Sequence, residues 1–393
     1  MRIPFNKPFI TGNELDNLIE IINNSHLAGN STFTNKCQSW LETNLGSSKA
    51  LLTHSCTAAL EMAAILADIQ PGDEIIMPSY TFVSTANAFV LRGGVPVFVD
   101  IREDTLNLDE TKIEAAITPK TKAIVPVHYA GVACEMDTIM AIAEKYNLFV
   151  IEDAAQGIMS KYKGRFLGSI GQMGAISFHE TKNIISGEGG ALLINDDRFI
   201  ERAEIIWEKG TNRSKFFRGQ VDKYTWVDIG SSYLPSELIA AFLWAQLEQC
   251  DLIIKRRVEI WKIYHQAFNE LEKLSIGIKR PFVPKECNHN GHLYYLLMPN
   301  LEQRTLLMDK LRTLGIQTVF HYVPLHSSAA GIKYGRAEGV LPVTQLISDR
   351  VVRMPFWLGI EAEMPFIIKQ VLKCINLIFS NQEAAVTKEG TSS

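Results

Sequence analysis

Short apolar runs recur between about residues 48 and 195 and alternate with longer stretches of helical periodicity. Valine, isoleucine and phenylalanine dominate the runs, and most lack the polar alternation of a strand that faces solvent on one side. This pattern predicts an α/β fold with a mainly parallel, seven-stranded sheet and helices on both faces. The predicted strands are Ala50–Thr53, Glu74–Met77, Val95–Val99, Ala123–Val127, Phe149–Glu152, Ala175–Phe178 and Ala191–Ile194, and helices such as Thr57–Ala67, Ser84–Leu91, Asp109–Ala116 and Glu135–Tyr146 lie between them.

The second half of the chain has a different pattern. Residues 235–275 carry apolar positions at helical spacing and are expected to bridge to a second domain. Beyond them, predicted strands (Leu293–Met298, Thr318–His321) mix with predicted helices (Glu302–Leu314, Pro365–Phe379), which indicates a smaller α+β unit. We therefore expect a large domain over 1–250, a small domain over 251–380 and a polar, disordered tail over 381–393.

Composition excludes several classes of protein. Apolar residues make up 47% of the chain and charged residues 21%, with a formal net charge of −4, which argues against binding to nucleic acid. No apolar run is long enough to cross a bilayer, and the N-terminus does not resemble a signal peptide. The six cysteines are scattered without a CxxC pair, so we expect a cytoplasmic protein with free thiols. Cys287, His289 and His292 lie close in sequence but make a poor zinc site, so no metal is expected.

A lysine and an acid follow two neighbouring predicted strands. Lys182 lies in the polar turn after the run that ends at Phe178, and Asp153 follows the run that begins at Phe149. Pyridoxal 5′-phosphate (PLP) requires a lysine to form its Schiff base and a carboxylate to keep its ring nitrogen protonated. Because ligands of such sheets bind beyond the carboxyl ends of the strands, the pair predicts a PLP site. A solvated turn lysine is the ordinary alternative, and Glu152 is the alternative acid, although strand alternation directs it to the opposite face.

Other segments supply groups that a phosphate-bearing aromatic cofactor needs. The hydroxyls of Ser55 and Thr57 precede an apolar helix whose N-terminus could bind phosphate, and Ser177 could add a third hydroxyl. Tyr80 and Phe82 are both candidates to stack on the ring, and core packing is equally compatible with either. Residues 209–223 carry five cations and one acid, which suits a phosphate-bearing substrate or an ordinary solvated face.

Taken in order, these segments resemble the DegT/DnrJ/EryC1/StrS family of sugar aminotransferases over about residues 3–380. The resemblance implies a PLP enzyme of the aspartate aminotransferase fold (type I) that works as a homodimer. It implies that Lys182 binds the cofactor and moves the substrate proton, that Asp153 pairs with the ring nitrogen, and that Gln156 lies near the ring 3-hydroxyl. Thr57, the backbone of Ala58 and Ser177 would bind the phosphate, and Phe82 would stack on the ring. The segments that carry the resemblance are Ile3–Phe5, Ser55–Leu60, Pro71–Glu74, Pro78–Ser84, Val127-His128, Glu152–Gln156, Ser177–Lys182, Gly187–Gly190 and His321–His326.

The stretch Glu208–Leu247 resembles one subgroup of that family more than the family at large. For this subgroup the implied reaction moves the amino group of L-glutamate to C4 of dTDP-4-dehydro-6-deoxy-D-glucose. Its products are 2-oxoglutarate and dTDP-4-amino-4,6-dideoxy-D-galactose. The residues expected to bind substrate are Arg213, Lys215, His321 and His326.

One motif departs from the family pattern. Many members carry a Gly-Tyr-Asn-Tyr-Arg segment whose asparagine reaches the cofactor phosphate of the partner subunit. The corresponding run here is Gly230-Ser231-Ser232-Tyr233-Leu234, which lacks the arginine. We expect Ser232 to take the place of the asparagine, and we expect the basic segment 209–223 to compensate for the missing cation.

Several alternatives stay open at this point. A sugar 3-dehydratase of the same family has histidine in place of the Schiff-base lysine, so Lys182 favours transamination. A transaminase for a 3-keto sugar, or for a UDP or GDP sugar, is compatible with the same residues. A non-catalytic PLP-fold protein would be expected to lose the lysine or the acid, and both are present. A nicotinamide-binding protein is disfavoured because no G-x-G-x-x-G follows the first strand.

Overall fold

The computed structural model of the chain describes residues 3–274 and 276–389, with side chains up to residue 380. The strands are β1 Lys49–Thr53, β2 Glu74–Pro78, β3 Val95–Val99, β4 Thr121–Ile124, β5 Phe149–Asp153, β6 Lys161–Tyr162, β7 Arg165–Phe166, β8 Met173–Ser177, β9 Gly190–Ile194, β10 Cys287–Asn288, β11 Tyr295–Leu297, β12 Arg336–Ala337 and β13 Val351–Arg353. The helices are α1 Glu14–Asn24, α2 Thr32–Leu45, α3 Cys56–Leu66, α4 Val83–Val90, α5 Ile113–Ala116, α6 Met136–Tyr146, α7 Ile200–Trp207, α8 Arg213–Phe217, α9 Glu237–Glu248, α10 Cys250–Ala267, α11 Asn269–Lys273, α12 Leu301–Thr313, α13 Ala329–Tyr334, α14 Pro342–Arg350 and α15 Met364–Glu389. Short 3₁₀ turns lie at Glu110–Lys112, Tyr129–Gly131, Asp197–Phe199, Leu325–Ser327 and Ile360–Ala362.

One large sheet is built mainly from the N-terminal half of the chain. Its strand order is β1-β9-β8-β5-β4-β2-β3-β12, and every neighbouring pair is parallel except the two that involve β9. The mainly parallel α/β architecture predicted from the apolar runs is confirmed. The sheet has eight strands rather than seven, because the two-residue β12 is too short to produce a readable apolar pattern.

The core lies on both faces of this sheet. Alternate residues of one strand enter different apolar clusters: Ile76 and Val150 pack on one face, whereas Ile75 and Ile151 pack on the other. All residues of β2, β8 and β9 are buried. Helices therefore cover both faces, and the strands read as continuous apolar runs because neither side meets water.

The C-terminal region is not separate from this sheet. β12 extends the edge of the sheet beside β3, and β10 pairs with β6, while β11 and β13 form their own antiparallel pair. The predicted boundary after residue 250 falls at the start of α10 and stays a prediction.

One local prediction for the C-terminal region was wrong. Residues 318–321 do not form a strand, because only Val319 pairs, with Arg353, before the chain turns into the cavity described below. The disordered tail expected over 381–393 stays a prediction, although the described backbone of 381–389 continues α15. Residues 390–393 lie outside the described part of the chain.

Two further observations concern the chain as a whole. All six cysteines are free, as expected. Among the residues described here, no helix has the length and apolar character needed to span a membrane.

Candidate active site

A cavity of about 550 Å³ opens at the carboxyl ends of the central strands. β5 ends at Asp153 and β8 ends at Ser177, and the turn after β8 carries Lys182; all three line the cavity. Parallel strands place their carboxyl ends at one edge of a sheet, so residues far apart in sequence meet there. The predicted residues Thr57, Phe82, Gln156 and His321 line the same cavity.

Lys182 lies in a tight turn at the wall of this cavity. Its backbone N–H donates to the carbonyl of His179 at 2.9 Å. Desolvation lowers the pKa of the Lys182 ammonium from its ordinary value of 10.5, and nearby Cys56 and Asp153 oppose this effect. A larger neutral fraction makes the amine a better nucleophile and base.

Asp153 is held by two hydrogen bonds that fix its carboxylate. The hydroxyl of Thr85 on α4 donates to Oδ2 at 2.7 Å, and the backbone N–H of Ala155 donates to Oδ1 at 3.1 Å. Thr85 is itself in hydrogen-bond contact with Thr81 at 2.8 Å. The carboxylate is therefore oriented before any ligand binds, as a group that must pair with one ring nitrogen requires.

Glu152, the alternative acid, points to the other side of the sheet. Its carboxylate accepts hydrogen bonds from the backbone N–H groups of Gly168, Ile170 and Gly171 at 2.6–2.8 Å. It also contacts Nε2 of His128 at 2.9 Å. These contacts hold the loop between β7 and β8 and leave Glu152 directed away from the Lys182 cavity. The preference for Asp153 agrees with this geometry.

Gln156 links the cavity to the C-terminal region. Its Oε1 accepts a hydrogen bond from the N–H of Ala130 at 2.7 Å, and its Nε2 donates to the hydroxyl of Tyr322 at 3.1 Å. Gln156 and Tyr322 both line the cavity, so these two hydrogen bonds fix the amide of Gln156 at the cavity wall.

The N-terminus of α3 supplies a phosphate-binding type of geometry. Ser55 is the N-cap, and its Oγ accepts from the N–H of Ala58 at 3.1 Å. The hydroxyl of Thr57 contacts that of Ser84 at 2.7 Å. Ala58 does not itself line the cavity, and its N–H already has this partner, so any phosphate contact through Ala58 must be shared with Ser55.

A glycine on β9 allows this helix to approach the sheet. A Cβ atom on Gly190 would lie 2.4 Å from the backbone N of Cys56 and 2.5 Å from the carbonyl carbon of Ser55. Real Cβ atoms do not approach backbone so closely, so only glycine fits. The close packing brings the first turn of α3 beside Ser177, whose hydroxyl lies within 3.4 Å of the N–H of His179.

The two aromatic candidates occupy different environments. Phe82 is 58% exposed and lines the cavity, with its ring 6.4 Å from that of Tyr322. Tyr80 is 1% exposed and packs edge-on against Tyr129 at 5.2 Å. Phe82 therefore presents its ring to the cavity, whereas Tyr80 belongs to the core.

These residues together fit PLP. The cavity presents a desolvated amine, a fixed carboxylate, a cluster of hydroxyls at a helix N-terminus and an exposed aromatic face. These are the groups that the aldehyde, ring nitrogen, phosphate and ring plane of that cofactor require. Elsewhere among the described residues, no cluster of three His, Cys, Asp or Glu side chains could hold a metal ion.

The two histidines predicted to bind substrate lie in different places. His321 lines the cavity, where its Nδ1 contacts the Tyr129 hydroxyl at 3.1 Å, and burial holds its pKa well below 6.5. His326 does not line the cavity. Its Nδ1 contacts Oγ of Ser79 at 2.7 Å, and its backbone N–H donates to the same oxygen. In this structure His326 anchors a turn to the end of β2.

One further predicted substrate residue, Arg213, and the predicted cofactor residue Ser232 lie in a second cavity. Arg213 and Ser232, with Lys209 and Phe217, line a groove of about 610 Å³ that shares no lining residue with the Lys182 cavity. We call it the α8 groove. Lys215 is on α8 but does not line it, and pairs with Glu201 at 2.6 Å.

Four functional candidates were missed at the sequence level. Ser84 and Thr85 follow the predicted aromatic pair by only a few residues, and their hydroxyl character could have indicated them. Tyr322 lies inside the quoted His321–His326 motif. Arg353 gave no signal, since it lies in a short apolar strand with no motif around it.

The fold and the site define a PLP-dependent enzyme of fold type I, and comparison with known proteins narrows the class. The model of the DegT/DnrJ/EryC1/StrS aminotransferase family matches residues 8–375. The chain therefore belongs to this family and is a PLP-dependent aminotransferase.

Individual relatives agree with this assignment. Uncharacterized protein MJ1066 of Methanocaldococcus jannaschii is 35% identical over 363 residues, which cover 90% of this chain and 92% of that protein. Spore coat polysaccharide biosynthesis protein SpsC of Bacillus subtilis is 34% identical with the same coverage. Among solved structures, the putative sugar aminotransferase Spr1654 of Streptococcus pneumoniae in its PMP form has a TM-score of 0.89 at 25% identity, covering 98% of this chain and 100% of that one.

Proposed function

We propose that the protein transfers the amino group of L-glutamate to C4 of dTDP-4-dehydro-6-deoxy-D-glucose. The products are 2-oxoglutarate and dTDP-4-amino-4,6-dideoxy-D-galactose, which is the activity of a dTDP-4-amino-4,6-dideoxygalactose transaminase. The observation that carries amino transfer is the meeting of Lys182, Asp153 and the hydroxyl cluster in one cavity. The choice of sugar rests on the resemblance of Glu208–Leu247 to that subgroup.

Each residue of the cavity has a proposed role. PLP, when bound, supplies the electron sink that makes the proton on the amino-bearing carbon removable. Lys182, as the desolvated base, holds and moves that proton. Asp153 keeps the ring nitrogen protonated, Phe82 covers one ring face, and Gln156 orients the edge that carries the 3-hydroxyl.

The phosphate end has its own proposed residues. The hydroxyls of Thr57 and Ser177 and the N–H of Ala58 bind the cofactor phosphate at the N-terminus of α3. Ser232 lies in the α8 groove rather than in the Lys182 cavity of the same chain. Its proposed contact with a cofactor phosphate therefore requires a second copy, and we infer a homodimer in which each chain completes the site of the other.

The sugar nucleotide is proposed to reach both cavities. His321 in the Lys182 cavity is placed to contact the sugar, whereas Arg213 and Lys215 are candidates for the diphosphate. His326 can bind substrate only if its contacts with Ser79 break when the substrate binds. The name of the Bacillus relative supports polysaccharide biosynthesis, and we propose a cytoplasmic role in making a surface polysaccharide such as enterobacterial common antigen or lipopolysaccharide.

A substrate panel tests the proposal. The protein is incubated with PLP, L-glutamate and 4-keto or 3-keto sugars linked to dTDP, UDP or GDP, and each product is identified by NMR. We expect turnover of the dTDP-4-keto-6-deoxy sugar with an axial amine at C4. No turnover of any dTDP-4-keto-6-deoxy sugar would overturn the proposal, and an equatorial or C3 amine would correct its stereochemistry or regiochemistry.

Paired variants separate the nucleotide contacts from the chemistry. Arg213→Ala and Lys215→Ala should raise the KM for the sugar nucleotide while leaving the reaction with L-glutamate alone intact. An unchanged sugar-nucleotide KM in both variants would remove the α8 segment from substrate binding.

A further inference from the structure

One histidine in the Lys182 cavity has a ring nitrogen without a hydrogen-bond partner. His292 is 5% exposed and lines the cavity. Its Nδ1 contacts Oδ1 of Asn183 at 2.8 Å, and no described residue bonds its Nε2. Asn183 lies outside the lining of this cavity, so the bonded edge of the ring faces away and the edge with Nε2 is left for the cavity. Buried polar atoms normally have partners, so this nitrogen needs one.

The side chain of Asn183 fixes which ring nitrogen of His292 carries the proton. Its Nδ2 donates to the carbonyl of Asn290 at 2.9 Å, so the atom that faces His292 is the amide oxygen. A carbonyl oxygen only accepts, and Nδ1 of His292 must therefore carry the hydrogen. In the neutral ring, Nε2 then has a free lone pair and can only accept.

Burial and three cations keep this ring neutral. Burial holds the pKa of His292 well below 6.5, and Lys182, Arg257 and Arg353 act in the same direction. Protonation would add a fourth positive charge to a desolvated cluster. At neutral pH, Nε2 of His292 is therefore an acceptor and not a donor.

The backbone around His292 is held from two sides. Arg257 on α10 donates to the carbonyls of Gly291 at 3.2 Å and of His292 at 2.7 Å. The fully buried Asn290 donates to the carbonyl of Gln156 at 2.9 Å. The lone pair of Nε2 therefore has a fixed position before any ligand binds.

Lys182 has the complementary need for an acceptor. Its ammonium can only donate, and among the residues that the structure describes its Nζ has no hydrogen bond or ion pair. Its charge lowers the pKa of both His292 and His321, so the amine lies near both rings. The Nδ1 partner of His321 is the hydroxyl of Tyr129, which can donate or accept, so only His292 has its acceptor nitrogen fixed by its neighbours.

We propose that Nε2 of His292 accepts a hydrogen bond from the amine of Lys182 whenever this amine is not bonded to the cofactor, and so positions it for proton transfer. His292 is a positioning residue, because it acts through Lys182 and takes up no proton itself. A released lysine side chain is flexible, and a fixed acceptor restricts the directions in which its amine can point. The consequence for catalysis rests on the proposed role of Lys182 as the base.

The pKa of Lys182 in the cofactor-free protein tests this hydrogen bond without relying on catalysis. It is measured from the pH dependence of the labelling of Lys182 by trinitrobenzenesulfonate, quantified by mass spectrometry. An acceptor stabilises the ammonium, so this pKa should fall by about one pH unit in His292→Asn. An asparagine amide can still donate to Asn183 from near the position of Nδ1, but it leaves nothing at the position of Nε2. The longer amide of His292→Gln reaches that position and should restore part of the difference.

His289→Asn is the matched control. His289 lies three residues earlier in the chain, its Nδ1 accepts from the N–H of Gly291 at 3.1 Å, and it does not line the cavity. This variant should leave the pKa of Lys182 unchanged.

A single turnover of the PLP-loaded enzyme with L-glutamate alone measures the effect on the base. The rate constant for release of 2-oxoglutarate should fall about 10-fold in His292→Asn, since a misplaced base slows proton transfer. The half-saturating concentration of L-glutamate should stay within about threefold of the wild type, because His292 does not bind the donor.

A reciprocal measurement needs no substitution of the histidine. With nitrogen-15 in the histidine rings, the cofactor-free wild type should contain a histidine that is protonated at Nδ1 and does not titrate between about pH 5.5 and 8. Its Nε2 resonance should move in Lys182→Met, which removes the proposed donor.

The remaining outcomes contradict the proposal. An unchanged pKa of Lys182 in His292→Asn removes the hydrogen bond, and so does an Nε2 resonance that is the same in the wild type and Lys182→Met, a comparison that stands even if His292→Asn does not fold. A lower pKa of Lys182 in His321→Asn alone would assign the acceptor to His321. A raised KM for the sugar nucleotide in His292→Asn, with an unchanged pKa of Lys182, would assign Nε2 to a sugar hydroxyl. A wild type that releases no 2-oxoglutarate overturns the proposed function, whereas the two measurements without cofactor still decide the hydrogen bond.

Discussion

The cations of the Lys182 cavity and those of the α8 segment differ in how they are balanced. Along α8 and just beyond it, Arg213, Lys215 and Arg218 each pair with a glutamate, at 2.6–3.5 Å. In the Lys182 cavity, neither Lys182 nor Arg353 has an ion-pair partner among the described residues.

Cations that are already paired with a glutamate and cations that lack a partner can have different uses. A surface ion pair contributes little to stability and is satisfied without a ligand, whereas an unpaired cation in a cavity can still bind an anion. Burial also lowers the pKa of the Lys182 ammonium. We therefore expect substitutions in the cavity to affect the amino-transfer reaction strongly and stability weakly. Substitutions on α8 should leave the reaction with L-glutamate intact, change stability weakly and act only on the KM for the sugar nucleotide.

The largest effect is expected for Lys182→Ala. Loss of the amine removes both the covalent attachment of PLP and the base, so the rate of amino transfer should fall by about 1,000-fold or more. The visible absorbance band of the lysine-bound cofactor should disappear. A spectrum identical to that of the wild type would show that another lysine binds the cofactor.

Asp153→Asn is expected to rank second. The amide cannot neutralise a protonated ring nitrogen, so the single-turnover rate with L-glutamate should fall about 100-fold. Thr85→Val removes one hydrogen bond to the carboxylate and should cause a smaller loss of the same kind. If Thr85→Val were as damaging as Asp153→Asn, the hydroxyl rather than the carboxylate would be the critical group.

Gly190→Ala tests the shape of the phosphate end. The added Cβ meets the backbone of Ser55 and Cys56, so it must displace the first turn of α3. We expect a loss of about 1–3 kcal/mol in the free energy of unfolding, measured by denaturant titration, together with weaker PLP binding. Gly187→Ala is a useful comparison, although its positive φ of 80° adds strain, because a Cβ there meets no atom within 4 Å. Unchanged PLP affinity in Gly190→Ala would separate this turn from the phosphate site.

A pH series tests the state of Lys182 in the cofactor-free protein. Because its folded-state pKa is lowered, the unfolded chain binds the proton more tightly, and the charged lysine destabilises the fold at pH values below the folded pKa. Lys182→Met should therefore unfold at a higher temperature than the wild type at neutral pH. The difference between the two unfolding temperatures should become smaller as the pH rises towards 10.5, the ordinary pKa of a lysine. A gap independent of pH would mean that the amine is not desolvated.

The smallest effect is expected for Lys215→Ala. Its partner Glu201 is largely exposed, so breaking the pair should change the free energy of unfolding by less than about 1 kcal/mol. Denaturant titration at low and high salt measures this. A larger loss that vanished in salt would show that the α8 cations form a cooperative network, which would weaken the contrast with the cavity.

Sequence patterns predicted the large sheet well and its margins poorly. The buried strands β2, β8 and β9 produce continuous apolar runs, whereas the two-residue β12 has too few positions for any period. Residues 318–321 resemble a strand in sequence, but only Val319 forms a bridge, to Arg353.

Some residues of the candidate site could likewise be predicted from the sequence, and others could not. Lys182 and Asp153 could be predicted because strand ends converge in parallel sheets, and alternation correctly separated Asp153 from Glu152. Arg353 could not, because its significance lies in the absence of a partner, which only three-dimensional packing reveals. For the same reason, the separation of Arg213 from the Lys182 cavity was not readable from charge clustering.

The most direct test of the account is the reaction of the PLP-loaded enzyme with L-glutamate in the absence of sugar. We predict that each chain releases one equivalent of 2-oxoglutarate and retains the amino group, and that Lys182→Ala releases none on the same timescale. No release by the wild type, or equal release by Lys182→Ala, would contradict the claim that this cavity and this lysine carry out amino transfer.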